Sequence, residues 1–143
     1  MAGKSKAKSG PRFFRLESRL VQSPGHRALS FVARVVLQEL MAQYNGENNG
    51  DLSATRTMAK DWGIGSDNTL RSALKELEAS NWIVQTRCSV FNKHGARCAL
   101  YALSWLPIDE CPGKELEVLP RRTPIHPLPT LLNSISSCAV SAH

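Results

Sequence analysis

A chain of 143 residues with 42% hydrophobic content can bury one modest core and leaves room for tails. Its net charge of +6 favours an anionic partner. No apolar run approaches the roughly 18 residues that span a bilayer, and the basic start "MAGKSKAKSGPR" has no apolar h-region. A membrane or secreted protein is therefore not expected, and the cytoplasm is the expected compartment.

Residues 1–12 carry Lys4, Lys6, Lys8 and Arg12, no acid and almost nothing to bury. Such a segment cannot offset its ordering entropy and is expected to be a disordered basic arm. "FFRL" (13–16) suggests a short edge strand, and "SPGH" (23–26) a turn. Ser30 is placed to cap a first helix from Phe31 to about Tyr44. Ala33, Val36, Leu37, Leu40 and Tyr44 fall on one helical stripe, which marks a core helix.

"NGENNG" (45–50) suits a left-handed helix cap and a second turn. A phosphate-cradling loop is the rival reading, but no GK[ST] follows it. "DLSAT" (51–55) allows a very short strand before a second helix from about Thr55 to Trp62. "GIGS" then has the length of the turn in a helix-turn-helix. Ser66 caps a third helix that ends near Ser80-Asn81. "WIVQTRCSV" and "RCALYALSW" alternate as two strands, joined by the basic turn "FNKHGAR". In the second strand Ala99, Tyr101, Leu103 and Trp105 are expected on one face and Cys98, Leu100, Ala102 and Ser104 on the other. From Pro107 the prolines at 112, 120, 124, 127 and 129 break regular structure, and 107–143 reads as an extended or disordered tail. "PGKELEVLP" within it could lie along the body.

The expected fold is thus α+β: a winged helix-turn-helix of three helices and a two- to three-stranded β-wing over residues 13–106, with arm and tail outside it. The third helix poses the central question. Asp67, Arg71, Lys75, Glu76 and Glu78 sum to one net negative charge, which suits DNA poorly. Helical geometry separates them. Leu70, Ala73, Leu74 and Leu77 form the buried stripe, while Asn68, Arg71, Ser72 and Lys75 lie opposite and the glutamates fall off that face. Asn68 and Arg71 can read base edges, Ser72 and Lys75 suit phosphate, and Ser66 caps an N-terminus whose free N–H groups also suit phosphate. Asp67 would repel a phosphate. Arg87, Lys93 and Arg97 have no acid near them in sequence, and His94 sits at the wing tip, so the wing is expected on the backbone. The arm lysines and Arg12 can follow a groove or serve only as a solubilising tail.

The stretches "YNGENNGDLSAT", "TLRSALKELEASNWI" and "RCALYALSWLPIDECPGKELEV" resemble small winged-helix proteins of proteobacterial genomes, prophages and mobile elements. The resemblance covers about residues 13–120. It implies a DNA-binding transcriptional regulator or replication accessory, with double-stranded DNA as partner. Members usually have Gly before the strand aromatic, where this chain has Asn81-Trp82. The alternative it implies is a phage protein that binds and inhibits a host defence complex, a protein or ribonucleoprotein. A homodimer is possible, although no coiled-coil heptads mark an interface.

Catalysis needs groups held rigidly together, and His26, His94, His126 and His143 are scattered. Cys88, Cys98, Cys111 and Cys138 include no C-x-x-C pair, so reduced thiols and no metal are expected. Cys88 and Cys98 flank one hairpin and could pair under oxidising conditions. No cofactor and no enzymatic activity are expected.

Overall fold

Four helices begin where a hydroxyl can receive an orphan backbone N–H. In the computed structural model, which describes residues 10–133, Ser23 accepts from His26 N–H at 3.2 Å and Ser30 from Ala33 N–H at 3.2 Å. Thr55 accepts from Met58 N–H at 3.2 Å and Ser66 from Thr69 N–H at 3.4 Å. These caps open α2 (Pro24–Arg27), α3 (Phe31–Gln43), α4 (Arg56–Asp61) and α5 (Asp67–Ala79); a short α1 (Ser18–Val21) precedes them. The three helices expected from sequence are α3, α4 and α5. Ser30, Thr55 and Ser66 stand just before them.

The chain leaves α5 through Asn81 at φ 64°, a left-handed position that asparagine tolerates. It then enters β1 (Ile83–Arg87), followed by β2 (Val90–Asn92), β3 (Gly95–Arg97) and β4 (Leu100–Leu103). β1 pairs antiparallel with β4, from Ile83 opposite Leu103 to Arg87 opposite Leu100, with an irregularity between Gln85 and Arg87. β2 pairs antiparallel with β3 as a separate hairpin. The described residues thus form a small α+β fold of six helices, counting α6 (Leu128–Asn133), and two small antiparallel sheets.

The core sits between α3, α5 and the β1–β4 sheet. Val36, Leu37, Leu40, Leu70, Leu77, Trp82, Ile83, Tyr101 and Leu103 are all buried in one cluster. Trp82 is fully enclosed and meets Trp105 edge to face at 5.6 Å and His26 at 6.2 Å. Burial, helped by the charge of Arg34, lowers the His26 pKa, against a backbone hydrogen bond at Val21 that acts the other way.

Several sequence expectations change. "FFRL" is not a strand: residues 12–17 carry no regular secondary structure and lie against the end of α3 instead of a sheet edge. "SPGH" is no isolated turn, because Pro24 at the first helical position and the Ser23 cap start α2. The strand in "DLSAT" reduces to one bridge, Leu52 to Tyr101. The expected two-faced alternation of β4 fails in burial, since Leu100 to Leu103 are all buried.

The segment after Pro107 is likewise no loose tail through residue 133. Ile108 is 3% exposed, and Leu131 and Leu132 of α6 join the core cluster beside Leu20 and Leu29. Glu117 N–H donates to Thr86 O at 2.7 Å, Arg121 N–H to Ile108 O at 2.9 Å, and His126 N–H to Ser104 O at 3.1 Å. Prolines keep most of this segment out of helix and ladder, but Pro129 sits in the first turn of α6, where it is tolerated, and the apolar residues Ile108, Leu131 and Leu132 pack.

The loop 45–50 holds this cover in place. Asn49 is 0% exposed. Its Nδ2 donates to the carbonyls of Leu103 (3.0 Å), Leu106 (3.3 Å) and Pro107 (2.8 Å), and its Oδ1 accepts from Leu103 N–H at 2.7 Å. Its backbone exchanges hydrogen bonds with Asp109, 2.8 Å to the carboxylate and 2.9 Å from the amide. Gly50 follows at φ 133°, and a Cβ there would meet Leu116 Cδ1 at 3.0 Å. Its carbonyl accepts from the buried Thr86 hydroxyl at 2.7 Å. The structural reading of this loop, and not a phosphate cradle, accounts for its polar side chains.

Asn49→Ala would strand buried polar groups of β4 and of residues 106–107, so it should destabilise the chain by about 3 kcal/mol; urea denaturation reads this directly. A second expectation concerns pH. Folding disfavours the His26 imidazolium, so near the ordinary value of 6.5 the unfolded chain binds more protons. Stability should fall as pH is lowered through that value, and His26→Phe should remove this part of the dependence in the same denaturation assay.

Candidate nucleic-acid interface

The spacing of α5 decides which side chains can meet a partner. Leu70, Ala73, Leu74 and Leu77 are buried, and Ser66, Asn68, Arg71, Ser72 and Lys75 are all exposed. Helical geometry puts Asn68, Arg71, Ser72 and Lys75 on one side of α5, while Ser66 stands at its N-terminus as the cap.

The acids of α5 have separate duties. Glu76 Oε2 accepts from Ser30 N–H at 2.7 Å, so it caps α3 from another helix. Glu78 is half-buried, and burial raises its pKa. Asp67 lies near two guanidiniums, 3.1 Å from Arg71 Nε and 3.9 Å from Arg56 Nε. Arg71 is therefore not a bare cation: an i,i+4 pair lays it along the helix. Lys75 has no ion-pair partner among the described residues.

Helix α4 contributes two cations that the sequence reading missed. Arg56 and Lys60, one helical turn apart, line a small cleft with Gly65, Ser66 and Asp67. The signal was available: the two form an i,i+4 pair of basic residues ahead of the turn.

The hairpin departs from expectation at two of its four predicted residues. Arg87 Nε and Nη2 donate to Cys98 O at 3.2 and 2.8 Å, and Nη1 donates to Lys114 O at 3.0 Å. Its guanidinium ties the base of the hairpin to the C-terminal segment, which leaves it poorly placed for phosphate. Arg97 Nη1 pairs with Glu115 Oε2 at 2.5 Å. Glu117 also reaches this region and raises the Cys88 thiol pKa. The hairpin is free of acids only in sequence, because these carboxylates arrive from the segment after Pro107. Lys93 and His94 remain exposed at the turn, where His94 N–H donates to Asn92 Oδ1 at 2.9 Å.

Lys4, Lys6 and Lys8 lie outside the described residues. Arg12 is exposed and lines a cavity of about 700 Å³ between residues 10–17 and Met41, Tyr44, Trp105 and Leu106. Cys88, Cys98 and Cys111 are free thiols, and Cys138 lies outside the described residues. No group of three His, Cys, Asp or Glu suited to a metal ion occurs among the described residues. No described helix is long and apolar enough to cross a membrane.

Comparison with protein-family models, curated proteins and solved structures found no match for this chain.

Arg87→Ala should loosen the hairpin base without removing a phosphate contact. Amide hydrogen exchange across residues 90–97 should accelerate, whereas any dependence of nucleic-acid affinity on salt should keep its wild-type slope.

Proposed function

We propose that the chain is a winged helix-turn-helix protein that binds double-stranded DNA, as a regulator or replication accessory of a prophage or mobile element. Helices α4 and α5 form the helix-turn-helix, α5 enters the major groove, and the β2–β3 hairpin is the wing. The element order from α3 to β4 is compatible with that fold.

One observation carries the reading. The exposed face of α5 presents Asn68, Arg71, Ser72 and Lys75, with Ser66 at its N-terminus, while Glu76 is turned onto the N-terminus of α3. The helix is acidic in sum and polar-basic where it is exposed. Asn68 and Arg71 supply groups suited to adenine and guanine edges, and the Asp67 contact holds the Arg71 fork in a defined direction. Lys75, Arg56 and Lys60 flank the face with charge for phosphates, and Lys93 with His94 adds a second contact region. A two-fold dimer of such a protein would read a palindromic site.

A second reading has one observation in its favour. Arg71 and Arg97 are paired with acids and Arg87 is occupied by carbonyls, which lowers the charge available to DNA. A winged helix that docks on a host defence complex would need less charge. Capture from a nuclease-treated lysate separates the two, because a nucleic-acid bridge would be destroyed and a protein contact would persist.

Titrating duplex affinity against salt tests the DNA reading. The log–log slope should be roughly −0.9 per phosphate neutralised. Lys75→Ala and Lys93→Ala should each reduce its magnitude by about 0.9. Absence of duplex binding at low salt would refute the reading.

A further inference from the structure

We propose that Phe91 is an apolar wedge that enters the minor groove of duplex DNA and partly unstacks a base step beside the wing. The proposal rests on the DNA-binding reading and adds a contact that charge alone does not supply.

Phe91 is 92% exposed, on a hairpin whose residues from 90 to 97 are all exposed. Burial in the fold does not explain an aromatic there. The register explains its direction. Phe91 pairs with Ala96, and Val90 pairs with Arg97. Successive residues of a strand point to opposite faces. Arg97 reaches Glu115, so its face of the hairpin is turned to the C-terminal segment. Phe91 stands on the other face, beside the small Ala96.

The chemistry around it selects the partner. Glu115 meets the hairpin on the Arg97 face, whereas Lys93 and His94 form the turn next to Phe91. An apolar ring beside a lysine and an imidazole at the end of a narrow ribbon fits a wedge inserted between base steps, with Lys93 on a flanking phosphate. Single-strand binding uses successive aromatic platforms along a groove. Here one ring stands alone on its hairpin, which favours the duplex.

The test uses the full chain, with Phe91→Ala and Phe91→Trp, at low salt. Each is titrated onto a mixed-sequence duplex containing the fluorescent adenine analogue 2-aminopurine, which brightens when unstacked, and onto the matching single strand. Wild type should brighten the duplex probe. Phe91→Ala should bind about tenfold more weakly with an unchanged salt slope and no brightening, and Phe91→Trp should restore both. The salt slope separates a wedge from a lost phosphate contact, and an unchanged circular dichroism melt excludes misfolding. Wild-type affinity in Phe91→Ala, no brightening by the wild type, or tighter binding of the single strand would each overturn the wedge while leaving DNA binding intact. Loss of a captured protein partner in Phe91→Ala, with duplex affinity unchanged, would overturn it too and make the tip a protein-docking surface. A wild type that binds no duplex overturns the wedge together with the reading beneath it.

Discussion

A single buried amide organises the sheet side of this molecule. Asn49 has no exposure, and its side chain satisfies the Leu103 amide and three carbonyls between Leu103 and Pro107. Those are the groups that the end of β4 would otherwise leave unpaired as the chain turns away from the sheet. No apolar residue could do this. A buried Asn with its bonds complete fixes one geometry, whereas incomplete bonds there would be costly. The backbone of the same residue grips Asp109, and Gly50 lets the chain reverse tightly under Ile108 and Leu116. The path of the C-terminal segment follows from these contacts.

That segment in turn determines the charge of the hairpin. Lys114 offers its carbonyl to Arg87 and a long ion pair, 3.6 Å, to Asp51, while Glu115 meets Arg97. Exposed ion pairs of this kind add little stability. Their effect is on the surface: they leave Lys93 at the turn, Lys75 on α5 and the α4 cations as the chief exposed positive groups of this region. Aromatic and polar contacts consequently matter more to any interface built here.

The sequence made local features legible and hid distant ones. The caps at Ser30 and Ser66 are readable because a hydroxyl and its N–H partner lie three residues apart; Thr55, read as the first helical residue, turns out to be a cap of the same kind. The buried stripe of α5 followed from 3.6-residue periodicity, and the left-handed Asn81 from the chemistry of asparagine. Glu76 capping Ser30 spans 46 positions, and Arg97 meeting Glu115 spans 18. No local rule reaches that far. Prolines after residue 107 signalled irregular chain, which misses α6 around Pro129, and they gave no sign that Ile108, Leu131 and Leu132 would be buried. The exposed face of α5 was legible in full; the partners of Arg71, Arg87 and Arg97 were only partly so.

The carboxylate of Glu76 gives α5 a property beyond its charge. Because it holds the Ser30 N–H beside the α3 cap, rotating or sliding α5 would break that hydrogen bond as well as unpack Leu70 and Leu77. The backbone that carries Asn68, Arg71 and Lys75 is thereby tied to the N-terminus of α3, through two residues 46 positions apart in the chain.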